Sequence, residues 1–491
     1  MAVLDVGVRG IGSVVGPIRQ RDQIFVHAEL QRGCQPQRLT RSRPFAGRQN
    51  ARKSRAFAGV CPARPLHPIS GVLRPCNAPL PPGNPSDAAV STGLVFPGKI
   101  RLHPRQSDRE LSMQVHCLSG LEELAPYADD WDRLSAGVPF RSWAWLSTWW
   151  RHYGQAEDTG PTAPRLFVLC VFDFDDTLVG LGPWYLDGRG PAGRVVRLLG
   201  SGEVCSDYLG VLCQAGMEDR VAQVMADHLT ELAASDSRDP LRWDRLELEG
   251  VDAQDRAVNR LIEHLAERGN AVHRRAGPNC WRIELPRTWD AYLAMLSKSH
   301  RRQLRRLQRK LLDSGRAVLH SVRQSDELPP ATDLLVDLHQ RRRRALGEPG
   351  CFASTRFAAF HRAAMQQLLL QRQLQLHWLE LDGQPVAAEY HLAADGVIYA
   401  YQSGIDPDAL GRQPGRLITL ATLRRAIEQG YRAFDFLRGD EPYKAHYRAQ
   451  PRPSLAVRVV PDRTAAQLRY GLWLAGCNVK RWIKRKRVNS G

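Results

Sequence analysis

Two apolar stretches far apart in the chain share one shape, and no other feature restricts the fold as tightly. "RLFVLCVFDFDDTLVGLGPWYL" (Arg165 to Leu186) and "QLHWLELDGQPVAAEYHL" (Gln375 to Leu392) each read as an apolar strand, an acidic turn and an apolar strand carrying Val and small residues. In the second copy the turn is Asp382-Gly383, a standard hairpin signal. Strand and helix patterns around the two copies follow the same plan, so the chain is expected to fold as two related units of mixed α/β structure. The helical patterns of the first unit are Val221 to Leu232 and Val258 to Leu265, with "WDRLELEGV" between them as a strand and "DYLGVLC" and "CWRIELP" as further strands. The second unit is expected to hold helices over Trp289 to Leu312, Leu334 to Arg344, Arg356 to Arg372 and Pro414 to Gln429, with the strands "VIYAYQSGI" and "AFDFLRG" on either side of the last.

The turn of the first copy, Asp173 to Thr177, imitates the nucleophile motif of the haloacid-dehalogenase-type phosphohydrolases, with Asp173 attacking and Asp175 as acid/base partner. That chemistry needs its aspartate at the carboxyl end of a buried parallel strand. An extended "TLVGLGPWYL" follows at once instead, which favours a hairpin with Asp173 and Asp175 as turn carboxylates. A magnesium-dependent phosphohydrolase stands as an alternative.

The net charge is +18, yet it is unevenly placed: residues 1–110 carry 17 Lys and Arg against 6 Asp and Glu, and all 12 Trp and all 12 Tyr lie after Met113. Residues 1–112 are rich in Arg, Pro and Gly and show no sustained period, so they are expected to form a disordered extension. A well-patterned unit begins at Met113, which is expected to be the true start of the protein. The 10 cysteines show no C-x-x-C pair and no His at metal spacing, which predicts reduced thiols and no bound metal. Without a charged, apolar leader or a run of ~18 apolar residues, the protein is expected to be soluble and cytoplasmic.

The most informative stretch runs from Tyr399 to Arg448. A strand enters a loop with Gly411, Arg412, Gln413, Pro414 and Gly415, and an amphipathic helix carrying Leu417, Leu420, Leu423 and Ile427 follows, closed by Gln429-Gly430. Unpaired N–H groups at such a helix start suit a pyrophosphate, and Arg412 and Arg416 would add charge-assisted bonds. The motifs "RQPGRLITLATLRRAIEQGYRAFDFLRGDEPYKAHYR" and "SKSHRRQLRRLQRKL" (Ser297 to Leu311), with the paired hairpins, resemble the GNAT acyltransferase superfamily. The resemblance is to its CelD-like branch of tandem GNAT proteins, related to the Fem-type aminoacyl transferases. The sequence departs from that pattern at Gln413-Pro414-Gly415-Arg416, where the family more often has Ser-Pro-Gly and then a small or hydroxyl residue.

The resemblance implies two tandem GNAT-like domains of mixed, mostly antiparallel sheets flanked by helices, over 113–286 and 287–461, followed by a basic amphipathic tail, 462–491. It implies direct acyl transfer from acetyl-CoA or another acyl-CoA to an amine or hydroxyl on a small-molecule or glycan acceptor, such as a sugar or envelope polysaccharide precursor. Gly411, Arg412, Gln413, Gly415, Arg416 and Leu417 would hold the CoA. Tyr443 would be the acid, Glu389 the base, and Asp435 a catalytic or amine-binding carboxylate. Gln402, Asp440 and Lys444 are candidate substrate contacts, Asp440 and Lys444 also reading as an ion cluster with Glu441, and His446 is a further candidate. A degenerate GNAT pair acting as a scaffold in polysaccharide synthesis is the alternative of a different class.

Two basic segments need their own reading. In "HRRQLRRLQRKL" the leucines 304, 307 and 311 form an apolar stripe, and Arg301, Arg302, Arg305 and Arg309 fan across the other side. A solvated face comes first and an anionic contact second. Nucleic acid is not expected, because no helix-turn-helix, zinc finger or aromatic RNA platform accompanies it. "LRYGLWLAGCNVKRWIKRKR" (Leu468 to Arg487) mixes Leu, Trp and Ile with Lys and Arg, a composition suited to weak docking on an anionic membrane surface.

Overall fold

A computed structural model describes residues 113–154, 160, 162–190 and 193–475. The expectations placed on 1–112, and on 476–491 of the basic tail, lie outside the described residues.

The first half opens with β1 (Gln114–Leu118) and three short helices, α1 (Leu121–Leu124), α2 (Ala128–Leu134) and α3 (Trp143–Trp149). It continues through β2 (Arg165–Phe172), β3 (Leu178–Gly190), β4 (Gly193–Leu198), β5 (Leu212–Cys213), α4 (Glu218–Ala234), β6 (Arg245–Asp252), α5 (Arg256–Glu267) and β7 (Ala271–Ala276). Next come β8 (Cys280–Glu284), α6 (Trp289–Met295), α7 (Lys298–Leu307), β9 (Ala317–Ser321), α8 (Leu328–Ala345), α9 (Thr355–Leu370), β10 (Leu374–Leu381), β11 (Gln384–Ala394) and β12 (Val397–Ile405). The chain then passes through α10 (Pro414–Glu428), β13 (Ala433–Arg438), α11 (Pro442–His446), β14 (Gln450–Arg452) and β15 (Ser454–Val460).

Two mixed, mostly antiparallel sheets result, and they share one plan. The first runs β1-β2-β3-β4-β6-β15-β7, with β5 off β3; the second, read from the matching end, runs β9-β10-β11-β12-β13-β8-β14. Each holds one parallel pair, β4 with β6 and β12 with β13. The sixth place in each sheet is filled from the other half. β15 lies between β6 and β7, and β8 lies between β13 and β14. "CWRIELP", expected to close the first half, thus completes the second sheet. Partner choice is a matter of edge pairing, which a strand's own pattern does not encode.

The β2–β3 hairpin answers the question posed by Asp173. β2 is antiparallel to both neighbours, and Asp173 Oδ1 accepts from the amides of Asp175 and Thr177 at 3.0 Å each, so the carboxylate closes its own turn. The phosphohydrolase alternative is overturned, because its nucleophile has no parallel strand to sit on. Asp173→Asn keeps an Oδ1 acceptor, so its denaturation midpoint should move by no more than about 0.5 kcal/mol of stability; a larger loss would show that the charge itself is needed.

The helix expected over Trp289 to Leu312 is broken. Leu296 leaves helical geometry, and Ser297 restarts the chain as the N-cap of α7, its hydroxyl accepting from His300 N at 3.3 Å. After α7 the backbone widens into a π turn over Gln308–Leu312. "DYLGVLC" is strand only at Leu212–Cys213; Asp207 to Gly210 form a loop.

One face of the second sheet shares a continuous core with the first half, including Trp145, Tyr390, Tyr399 and Tyr401. Trp145 is fully buried, edge-on to Phe360 at 5.0 Å and Tyr401 at 5.7 Å, with Nε1 donating to Ser206 Oγ at 2.9 Å. The opposite face is closed by α6, α7 and α10 through Leu304, Leu420, Phe434 and Phe436. Helical residues 464–475 follow β15, and Trp473 there receives the guanidinium carbons of Arg245 at 4.4 Å and Arg458 at 4.7 Å. Part of the aromatic content of the tail is therefore spent on the first sheet, while Leu468 and Leu472 stay exposed. Among the described residues no helix is long and apolar enough to cross a membrane.

Candidate active site

β12 and β13 pair in parallel only from Val397↔Ala433 to Tyr399↔Asp435. Beyond that rung they separate. Against β11, Ala400 faces His391 and Gln402 faces Tyr390, which leaves Tyr401 as an extra residue and bulges β12 just past the rung. β12 then runs through a 3-10 turn, Pro407–Arg412, into α10. Gln413 takes a left-handed conformation (φ 58°), unusual for a side chain with a Cβ, and Pro414 starts the helix at N1. The Leu417 amide is already bonded to Gln413 O at 3.1 Å.

A cavity of about 980 Å³ opens at this turn. Its walls come from two motifs that are far apart in the sequence. Gly411, Arg412, Gln413 and Arg416 form one side, and His300, Gln303, Arg306 and Lys310 of α7 and its π turn form the other, with His446 at the end of α11 and Arg448 just beyond it completing the rim. Of the expected CoA contacts, Gly415 is buried in the first turn of α10, and Leu417 packs in the core beside Leu379 and Leu381. Arg412 and Arg316 share the Asp382 carboxylate at 3.2 and 2.8 Å, and the Arg316 guanidinium, aided by Arg412, holds that carboxyl below its usual range. Arg306 and Lys310 have no carboxylate partner among the described residues. His300 donates Nδ1–H to His446 O at 2.9 Å, and burial pushes its pKa down, which favours the neutral ring. The cavity is thus cationic, with two cations free to meet an anion.

Asp435 sits on the last paired rung, on the face turned to the first half. It is fully buried and accepts from Tyr208 Oη at 2.5 Å and from Leu437 N at 2.7 Å. Burial lifts its pKa to about 6 against the lowering effect of those two bonds. Tyr208, Tyr399 and Arg282 around it line a second cavity, about 440 Å³, whose rim carries the ion pairs Arg141–Asp255 (2.7 Å) and Arg432–Asp395. The loop expected as a strand therefore carries a residue of this site. Its neighbours bond both separated strands: Val204 O accepts from Tyr401 Oη at 2.6 Å, Asp207 Oδ2 accepts from Arg438 N at 3.0 Å, and Ser206 O accepts from the Arg438 guanidinium at 2.7 Å.

The other expected residues are dispersed. Glu389 is buried beneath α10, within 3.0 Å of Thr419 Oγ1 and 3.1 Å of both Thr422 Oγ1 and His391 Nε2, and lines neither cavity. Tyr443 is buried on the far face of the sheet, edge-on to Phe436 at 5.9 Å. Gln402 donates to Cys351 Sγ at 3.3 Å and accepts from Ser403 N at 3.0 Å. Asp440 accepts from Asn279 Nδ2 at 2.8 Å and Trp281 Nε1 at 3.0 Å. Lys444 is fully buried; its ammonium donates to the carbonyls of Leu437, Arg438 and Gly439 at 2.9 to 3.1 Å and lies 2.9 Å from Glu441. All three of its protons are taken.

The family model "Acetyltransferase (GNAT) domain" matches residues 298–445. No curated protein matches the chain. Among solved structures, the chain is similar to FemX at 9% identity, covering 70% of this chain and 98% of that one with a TM-score of 0.49. A tandem GNAT protein from the clavulanic acid biosynthesis pathway aligns at 14% identity over 71% and 98% of the two chains, with a TM-score of 0.36. A conserved protein of Bacteroides thetaiotaomicron aligns at 13% over 68% and 97%, with a TM-score of 0.44. The matched span begins at α7 and ends in α11, enclosing the hairpin, the bulged strand, the turn and the helix just described, so this part of the chain is similar to the acetyltransferase (GNAT) domain family.

Proposed function

We propose that the protein transfers an acyl group from an acyl-CoA directly to an amine or hydroxyl, the acceptor being a sugar or a polysaccharide precursor. The convergence of the α10 turn and the α7 basic face on one cationic cavity carries this reading, since the diphosphate and ribose phosphate of CoA need such a lining. In this reading the acyl end points to the separation of β12 and β13, and the acceptor enters from the smaller cavity lined by Tyr208 and Tyr399. Asp435, with a pKa near that of a working base, takes the acceptor proton through Tyr208, which lines the smaller cavity, and the thiolate leaves as CoA; Tyr443, buried on the far face of the sheet and lining neither cavity, stands away from that thiolate. Glu389, held by two threonines and a histidine, fits a supporting role beneath α10 better than that of a base.

The binding half of this proposal is tested by the double variant Arg306→Gln/Lys310→Gln. Two cations with no carboxylate partner among the described residues and within reach of phosphates should each contribute about 1 kcal/mol or more, so the Kd for acetyl-CoA should rise roughly thirtyfold or more, with little change in thermal stability. An unchanged Kd by calorimetry would remove this cavity from the proposal. The Val204–Tyr208 segment bonded across both separated strands favours a second reading, a GNAT pair that binds but does not turn over. Saturable CoA binding with no product over a panel of amino sugars and polyols would decide for it.

A further inference from the structure

The α7 helix presents a second cationic face, turned away from the cavity just assigned to CoA. His300, Gln303, Arg306 and Lys310 belong to that cavity, whereas Lys298, Arg301, Arg302, Arg305 and Arg309 line another, about 580 Å³, floored by Trp289. Among the described residues, one carboxylate approaches these five cations, Asp290 at 3.7 Å from Arg305, and both of those side chains are more than half exposed. A pair so exposed neutralises little. Like charges stand at i, i+4 in Lys298/Arg302, Arg301/Arg305 and Arg305/Arg309, each pair costing a helix a few tenths of a kcal/mol. The helix dipole offsets this only for the arginines of its last turn. Trp289 is not free to move aside, because its Nε1 donates to Gln308 Oε1 at 3.0 Å and its ring stacks on Tyr292 at 5.3 Å. The face is a row of mostly guanidinium groups whose single counter-charge, among the described residues, is the exposed Asp290.

We propose that this outer face of α7 is a binding site for a ligand that presents several phosphates in a row. Guanidinium forks suit phosphate oxygens by paired hydrogen bonds. At about 1.5 Å per residue the row from Arg301 to Arg309 extends roughly 12 Å, too long for one phosphate or a single diphosphate to engage throughout. A chain of phosphates satisfies the spacing, and so does a line of phospholipid headgroups. The site is independent of acyl transfer, since it shares no lining residue with either cavity of the active site.

The test uses the full chain, with tripolyphosphate by calorimetry and with phosphatidylcholine vesicles, with and without phosphatidylglycerol, by sedimentation. Arg301→Gln/Arg302→Gln/Arg305→Gln should weaken whichever probe binds by at least roughly tenfold, and the affinity of the wild type should fall steeply with added salt. The Arg306→Gln/Lys310→Gln variant should keep this binding. Tripolyphosphate binding points to a soluble oligophosphate; binding only of phosphatidylglycerol vesicles points to headgroups. Should the triple variant lose its fold by circular dichroism, Arg302→Gln alone, at an exposed position, must weaken the same probe. Binding of neither probe, or equal binding by wild type and outer-face variants, overturns the site.

Discussion

Lys444→Met should cost about 3–5 kcal/mol of stability, the penalty for removing one member of a buried charged cluster. The ammonium is fully buried, and three backbone carbonyls converge on it from a turn that the chain would not adopt by preference: Leu437 has φ 58° and Gly439 has φ 118°. Methionine matches the length of the lysine stem but donates nothing, so three carbonyls and the Glu441 carboxylate lose their partner together. The turn would then relax toward ordinary extended geometry. Arg438 lies in it and ties the second sheet to Asp207 of the first half, so the contact between halves should weaken with the turn. Chemical denaturation of the variant measures the loss directly. A cost under about 1 kcal/mol would mean that water replaces the ammonium and that the turn is held by other contacts.

Much of this architecture was legible because local chemistry decides it. Asp382-Gly383 and the Asp173 turn are hairpins for reasons contained in a few residues, and the Gly411–Gly415 loop before an amphipathic helix announces a helix start wherever it folds. The leucines 304, 307 and 311 set the inward face of α7, and with it the two cationic faces on either side. What escaped was every feature that depends on a distant partner. Cys280–Glu284 and Ser454–Val460 look like ordinary strands, and only edge pairing with β13 and β6 shows that they are exchanged. Asp207 to Val211 alternates enough to pass for a strand. Its role comes instead from Tyr208 meeting Asp435 and Asp207 meeting Arg438, contacts between residues more than 200 positions apart. Lys444 was legible as a member of an ion cluster with Glu441, 2.9 Å away, but nothing in "GDEPYK" reveals that three carbonyls would point at it.

Asp435→Asn should lower the rate of acyl transfer by roughly two orders of magnitude or more, the usual contribution of a positioned general base. It should also flatten the pH profile. With a pKa of about 6, wild-type activity should rise through that pH as the carboxyl ionises, and asparagine has no such limb. Stability supplies the check that a merely structural role would fail to separate from catalysis. The folded-state pKa lies above the ordinary value of 3.8, so between about pH 4 and 6 the native protein holds a proton that the unfolded chain has released. Stability must therefore fall as pH rises through that window, by on the order of 3 kcal/mol, and level off above it. The asparagine variant would lose this dependence while its one oxygen still accepts from the Leu437 amide and its Nδ2 faces the Tyr208 hydroxyl, which can turn to accept, so it should be no less stable than the wild type at neutral pH. A stable, inactive variant with a flat profile assigns Asp435 to the proton transfer. A variant that retains wild-type turnover and its pH limb places the base elsewhere, and Tyr208→Phe, measured the same way, then shows whether the phenol acts without its carboxylate.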